Sequence, residues 1–177
     1  IEERKKKVLG FLKEKKEWIN YIVLAFIIFV SLYIRTRNIP LLKDITTNTW
    51  TLAPDLDPFL FLRWTKYIVE NGSLFVVDTM RYVPLGFDTG GEFLLHSYMM
   101  AWFYKLGVFF GFFESATHAA IWYPVIFFAL TIIAFFLFVR EFLRKIFPEK
   151  YAALGGLVAS LFLSIVPALM PRTVAGI

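Results

Sequence analysis

The fold is decided by one stretch of sequence, residues 18–34, which reads WINYIVLAFIIFVSLYI and contains no charged side chain. A helix that crosses the hydrocarbon core of a bilayer needs about 20 mainly apolar residues, with about 17 as the lower limit. Trp18 and Tyr33 lie near the two ends of the stretch, where aromatic side chains meet the lipid headgroups. The sequence therefore predicts a transmembrane helix over residues 18–34.

Two further segments, residues 118–139 and 151–170, are long and apolar in the same way. The whole chain of 177 residues is 58% hydrophobic and 19% charged, whereas soluble domains are about 45–50% apolar and about 25% charged. The composition excludes an ordinary soluble domain. We expect an all-α membrane protein with three transmembrane helices, embedded in a lipid bilayer.

The composition also excludes several kinds of chemistry. The chain has no Cys and only two His, which rules out disulfide frameworks, Cys nucleophiles and the usual zinc sites. The formal net charge is +5, but the basic residues flank apolar segments, at residues 4–7 and 140–150. That placement is typical of membrane orientation rather than of nucleic-acid binding, so no nucleic-acid partner is expected.

The basic residues predict which side of the membrane each segment faces. Basic segments flanking a span stay in the cytoplasm, which places the N-terminus and residues 140–150 on that side. Residues 93–113 could cross the membrane by length, but they contain His96 and Lys105. A crossing there would turn the basic segment 140–150 outward, so we interpret residues 93–113 as an interfacial helix on the outer face.

The predicted organisation has seven parts, and its long loop is too apolar to be a disordered tether. The parts are a cytoplasmic basic amphipathic segment (1–17), a transmembrane helix (18–34), a structured first external loop (35–117) that includes the interfacial helix, a transmembrane helix (118–139), a cytoplasmic basic turn (140–150), a transmembrane helix (151–170) and the start of a second external loop (171–177). We expect the chain to be a fragment of a longer protein.

The sequence Ala-Pro-Asp-Leu-Asp-Pro-Phe in the predicted loop places Asp55 and Asp57 just before a run with helical character, residues 59–69. Pro58 suits the first helical position, which makes Asp57 the predicted helix N-cap. An exposed carboxylate there could instead bind Mg²⁺ or Mn²⁺, ions that favour carboxylate and water ligands. Such ions rarely bind a single protein group, so a second acidic cluster would have to come from elsewhere.

Three motifs follow one another along residues 57–176: Asp57-Pro58-Phe59 with Arg63, the string DTMRYVPLG at residues 78–86 with Thr-Gly-Gly at residues 89–91, and Val-Pro at 166–167 with PRTVAG at 171–176. In this order they resemble motifs of the catalytic subunit of oligosaccharyltransferase, the enzyme of N-linked protein glycosylation. The first resembles the D-P-(aromatic)-x-x-x-R motif of that family's first external loop, and the second resembles the next stretch of the loop. The third resembles the segment that leads into the family's second acidic motif.

The resemblance implies the N-terminal part of a GT-C type glycosyltransferase, a multi-span membrane enzyme. It implies transfer of an oligosaccharide from a polyprenyl (dolichyl) phosphate or diphosphate carrier to the Asn amide of an Asn-X-Ser/Thr acceptor polypeptide. Asp57 matches the aspartate that binds the catalytic Mn²⁺ or Mg²⁺ and approaches the acceptor amide, and Asp55 has no counterpart. The implied location is the archaeal plasma membrane or the endoplasmic reticulum, and we expect the fragment to be inactive alone.

Two alternatives remain at this stage. Another GT-C enzyme with a polyprenyl-phosphate sugar donor, such as a protein mannosyltransferase, would glycosylate a hydroxyl or an amine instead of an Asn amide. A non-catalytic membrane module would use Asp57 only as an N-cap. Transporters usually carry polar or broken helices near the midplane, and the three predicted spans have neither.

Other polar residues of the loop have simpler interpretations. We expect Arg63 to form a surface or structural ion pair, and residues 78–86 to form a turn. His96 is expected in an apolar environment, and His118 at the entry to a span. Asn71-Gly72-Ser73 is an Asn-X-Ser sequon, but Asn-Gly is also a strong turn signal, and the turn is the expectation.

Overall fold

The computed structural model describes residues 2–176, and the side chains of residues 18–176. The chain is mainly helical, as predicted, with two very short strands. In order, the elements are α1 (Glu2–Thr36), a 3-10 helix (Ile39–Leu42), α2 (Leu56–Asn71), β1 (Val77–Asp78), β2 (Phe87–Asp88), a 3-10 turn (Thr89–Gly91), α3 (Leu95–Phe109), α4 (Ala116–Arg144), α5 (Glu149–Ile165) and α6 (Met170–Thr173).

Within the described residues, two helical stretches are long and apolar enough to cross a membrane, Trp18–Leu42 and Ala116–Arg144. They contain the predicted spans 18–34 and 118–139. The third predicted span, 151–170, corresponds to α5, which ends at Ile165, five residues earlier than predicted. The helix stops there because Val166 precedes Pro167, and a residue before proline disfavours the helical conformation.

The described chain divides into two compact units. The first contains residues 2–37 and 125–174, and its core lies among α1, α4 and α5. Gly156 allows the close approach of α5, since a Cβ there would lie 3.1 Å from the carbonyl oxygen of Phe136. The core side chains are Leu24, Ile27, Phe128, Ile132, Phe136 and Leu157.

Two arginines connect helices within this first unit. The Arg140 Nε donates to the Glu149 carboxylate at 2.7 Å, and its Nη1 donates to the Tyr21 hydroxyl at 2.9 Å. Arg35 is fully buried and donates from Nε to the Thr173 hydroxyl at 2.8 Å. These contacts fix the ends of α4 and α1 against α5 and the segment that follows it.

The second unit contains residues 38–124 and 175–176, and α2 packs against α3 inside it. The buried face of α2 consists of Leu62, Trp64, Thr65 and Ile68. The antiparallel strands β1 and β2, of two residues each, form a hairpin beside α2. Val77 pairs with Asp88, and Asp78 pairs with Phe87. The all-α prediction missed this pair because two residues carry no alternation of polar and apolar side chains.

The predicted interfacial helix 93–113 corresponds to α3, Leu95–Phe109. The helix ends before residue 113 because Gly111 adopts φ 74° and the Phe112 N–H donates to the Gly107 carbonyl at 2.8 Å. Its position at the membrane surface stays a prediction. Several large apolar side chains in and around it are exposed within the chain, as an interfacial helix requires: Phe93, Leu95, Trp102, Leu106 and Phe109.

Candidate active site

Helix α2 begins earlier than predicted, and its N-cap is Asp55, not Asp57. Asp55 has extended backbone angles (φ −125°, ψ 150°), and its carboxylate accepts a hydrogen bond from the Leu56 N–H at 2.7 Å. The first four N–H groups of a helix have no partner within it, so Pro58 fits at the third position as well as at the first. The sequence alone could not choose between two aspartates two residues apart.

The shift of the cap means that Asp57 does not cap α2. It lies in the first turn of α2 and its side chain is exposed. Among the described side chains, none forms a hydrogen bond or ion pair with its carboxylate. The same turn has the positive end of the helix dipole, which stabilises a negative charge. Asp57 is therefore available to bind a cation or a ligand N–H from solvent.

The position of Asp57 is fixed by the packing of α2. Trp64 and Ile68 are 1% and 2% exposed, and the Thr65 hydroxyl donates to the Ser97 carbonyl of α3 at 3.4 Å. Burial of such apolar side chains contributes about 1.5–3 kcal/mol each. The first turn of α2 is thus exposed while the turns after it are anchored in the core of the unit.

The extended segment before α2 is hydrogen-bonded to the last described residues. The Ala53 N–H donates to the Gly176 carbonyl at 3.0 Å, and the Asn38 side-chain amide donates to the Ala175 carbonyl at 2.7 Å. The Gly176 N–H donates in turn to the Ile121 carbonyl at 3.2 Å. The structure therefore brings residues 175–176 beside the segment that leads into Asp55 and Asp57.

Gly176 is required at this contact by its backbone and by space. Its φ of 81° lies in the left-handed region, where a Cβ is unfavourable. A Cβ there would also lie 2.6 Å from the Leu42 Cδ1. Sequence analysis identified this glycine only as the end of a motif, and the structure supplies the physical reason.

The buried carboxylate of Asp78 accepts hydrogen bonds from three residues. Arg63 forms a two-pronged ion pair with its carboxylate, the Trp64 Nε1 donates to Oδ2 at 3.2 Å, and the Met80 N–H donates to Oδ1 at 3.0 Å. Burial alone raises the pKa of the Asp78 carboxyl, but these hydrogen bonds outweigh it, and the pKa lies below its usual value. The prediction that Arg63 forms a structural ion pair is confirmed.

Residues 79–86 form the predicted turn, closing the β1–β2 hairpin. Tyr82 has φ 53° and Gly86 has φ 78°. A Cβ at Gly86 would lie 2.6 Å from Val77, so glycine is needed for the hairpin to close. Asp78 and this turn therefore shape the loop.

The two histidines serve the packing of the second unit. The His96 ring packs between Phe61 and Tyr123, at centroid distances of 4.8 and 5.1 Å, and burial lowers its pKa. The His118 ring stacks on Trp50 at 4.8 Å. His96 therefore lies in the apolar environment that the sequence predicted.

The fit of a divalent metal can be judged from the available donors. Within residues 2–176 no group of three His, Cys, Asp or Glu side chains could hold a metal ion. The exposed Asp57 carboxylate is a suitable hard oxygen ligand, but one carboxylate is too few. The described residues can supply part of a metal site, and its other ligands would have to come from outside them.

Comparison with known proteins identifies the family. The family model described as "Oligosaccharyl transferase STT3, N-terminal" matches residues 21–177. A search of curated proteins gives no match. The matched region contains α2, the hairpin and the segment ending at Gly176, and it covers most of the chain. The chain therefore belongs to the STT3 family of oligosaccharyl transferases, a family of glycosyltransferases.

Proposed function

We propose that this chain forms part of an enzyme that transfers an oligosaccharide from a polyprenyl phosphate or diphosphate to the side-chain amide of Asn in Asn-X-Ser/Thr acceptors. One observation supports it beyond family membership. Residues 175–176, which end the segment that in the resemblance precedes a second acidic motif, are hydrogen-bonded to Asn38 and to Ala53, and Ala53 lies in the segment that leads into α2. This contact supports a site in which Asp57, in the first turn of α2, acts together with acidic residues of the second motif.

The proposal includes a membrane arrangement. Residues 1–17 and 140–150 face the cytoplasm, α1, α4 and α5 cross the bilayer, and residues 35–117 face the outside or the lumen. The basic residues that flank the spans support this orientation. Helix α5 has 17 residues, close to the lower limit of about 17 for a span. The membrane would be an archaeal plasma membrane or the endoplasmic reticulum.

The chemistry proposed for Asp57 addresses the weak nucleophilicity of an amide. The lone pair of the Asn nitrogen is delocalised into its carbonyl, so the nitrogen attacks carbon poorly. An exposed carboxylate on a fixed helix turn can accept a hydrogen bond from the amide N–H and orient the nitrogen toward the anomeric carbon. The new C–N bond forms while the C–O bond to the phosphate breaks, the phosphate leaves on its carrier, and the amide nitrogen gives up one proton to solvent.

We also propose that Asp57 is one ligand of a bound Mn²⁺ or Mg²⁺ ion. When bound, such a cation supplies positive charge that stabilises the departing phosphate. The exposed position of Asp57 and its lack of a described partner support this role. Asp55 is less suited, because its carboxylate already accepts the bond that caps α2.

The test is in vitro glycosylation of an acceptor peptide by the full-length protein carrying Asp57→Ala. We expect the rate to fall by about 10²- to 10³-fold, the usual effect of losing one group that stabilises a transition state. Asp55→Asn is the matched control, since Asn caps helices as well as Asp does. An Asp57→Ala protein with the wild-type rate would contradict the role of Asp57.

Acceptor chemistry separates the proposal from the other GT-C enzymes. The same assay can offer peptides with Asn-X-Thr, with Gln-X-Thr, and with Ser or Thr alone. Transfer to the Asn peptide only is expected. Transfer to a hydroxyl instead would indicate a mannosyltransferase-like enzyme.

A further inference from the structure

The end of α2 carries a sequence that the proposed site does not use. Asn71-Gly72-Ser73 is the one Asn-X-Ser/Thr sequence in the 177 residues. All three residues are exposed. They lie in the second unit, at the opposite end of α2 from Asp57.

The turn at this position presents the Asn71 side chain at a free end of the helix. Gly72 adopts φ 83° and its N–H donates to the Ile68 carbonyl at 2.9 Å, which ends α2. The turn expected from Asn-Gly is thus confirmed. A Cβ at Gly72 would meet no atom within 4 Å, so the space around the turn is open.

The Asn71 amide is accessible for chemistry. Its Nδ2 donates one exposed hydrogen bond to the Tyr67 carbonyl at 3.0 Å. An amide group has two hydrogens, so the second is left for another partner. Breaking an exposed bond of this kind costs little, since water replaces it.

We propose that Asn71 is itself an N-glycosylation site, with a polyprenyl-linked oligosaccharide as the co-reactant. The inference rests on the proposed function, from which it takes the glycan donor and the outward orientation of residues 35–117. In the reaction a C–N bond forms between the Asn71 Nδ2 and the anomeric carbon, and the C–O bond to the phosphate breaks. The amide nitrogen gives up one proton, which passes to solvent, and the phosphate leaves on its carrier, so no oxidant or reductant is needed.

A glycan at this place is compatible with the fold. Attached glycans are bulky and need a surface position. The buried side chains of α2 end at Ile68; Val69 is half-buried, and Glu70 and Asn71 are exposed. Modification of Asn71 therefore displaces no core contact, and the glycan covers the exposed end of α2.

The experiment is mass spectrometry of the full-length protein purified from membranes of its own cells. Trypsin cuts after Lys66 and Arg81, which releases residues 67–81 with the sequon inside one peptide. We expect this peptide to carry a glycan mass on Asn71. Ser73→Thr should keep the modification, and Ser73→Ala should lose it while leaving Asn71 and the Gly72 turn intact.

The result that overturns the inference is a peptide 67–81 found only unmodified in cells whose secreted proteins do carry N-glycans. A separate arm tests the proposed function, with Asp57→Ala as the only copy of the protein. Loss of glycans from secreted proteins in that arm supports the proposed function. Secreted proteins that keep their glycans contradict it, and a glycan on Asn71 in the same cells would still establish the site.

Discussion

Asp57 and Asp78 lie in the same unit and have opposite surroundings. Asp78 is 1% exposed, paired with Arg63, and bonded by Trp64 and the Met80 N–H. Asp57 is exposed, and no described side chain pairs with it. A buried carboxylate needs such partners because desolvation of an unpaired charge is costly.

The comparison separates a residue that maintains the fold from one available for reaction. Arg63 and Trp64 join Asp78 of the hairpin to α2, and the Met80 N–H bonds the same carboxylate within the hairpin turn. Among the described residues, no hydrogen bond or ion pair uses the charge of Asp57. Substitutions should therefore divide into those that change stability and those that change activity.

The largest stability effect is expected for Asp78→Ala. The change leaves the buried Trp64 N–H and the Met80 N–H without an acceptor and leaves Arg63 without its counter-ion. Removing one partner of a buried ion pair costs about 3 kcal/mol or more. Thermal unfolding of the full-length protein in detergent should show a clear decrease in apparent Tm, and an unchanged Tm would contradict the structural role.

Gly176→Ala should have the next largest effect. Placing a Cβ at φ 81° costs about 1–2 kcal/mol, and the contact with Leu42 adds strain that its flexible end can partly relieve. Because Gly176 is bonded to Ala53, we also expect slower peptide glycosylation. Gly72→Ala is a matched control, with a similar φ of 83° but no neighbour within 4 Å and no contact with Ala53. Equal losses of activity in both variants would argue against a special role for Gly176.

Asp55→Ala is expected to cost about 1 kcal/mol, since it removes the N-cap of α2. Asp55→Asn should restore the wild-type Tm because Asn is an equivalent cap. Asp57→Ala should change the free energy of unfolding by less than about 0.5 kcal/mol, as is usual for surface substitutions, and so leave Tm nearly unchanged. If Asp57→Ala destabilised the protein more than Asp55→Ala, the assignment of the cap would be wrong.

The smallest effect concerns acid pH. The pKa of Asp78 is lower in the folded chain than in the unfolded chain, so protons bind the unfolded chain more tightly. The contribution of Asp78 to stability is complete above about pH 4 and is lost as the pH falls through its folded pKa. Tm measured from pH 6 to pH 3 should fall more steeply for wild type than for Asp78→Asn. Asp44, whose pKa is lowered to about 2 by bonds from Thr46 and Thr47, contributes equally to both proteins and cancels in the difference.

Much of this architecture could be predicted from the sequence. Charge-free apolar runs located α1 and α4, and Asn-Gly located the end of α2, because helix length and turn chemistry are local properties. The prediction of Asp57 as the N-cap of α2 was wrong. Asp55 and Asp57 both satisfy the local sequence preferences for an N-cap, and only the tertiary packing of α2 selects one of them. The contact of Ala53 with Gly176 joins residues far apart in the chain, and no local pattern could indicate it.

The most direct test of the account compares Asp57→Asn with Asp78→Asn in the full-length protein, measuring peptide glycosylation rate and apparent Tm on the same preparations. The account predicts that Asp57→Asn loses about 10²-fold in rate with an unchanged Tm, and that Asp78→Asn lowers Tm. A wild-type rate for Asp57→Asn, or a loss of rate explained by a lower Tm, would contradict the account.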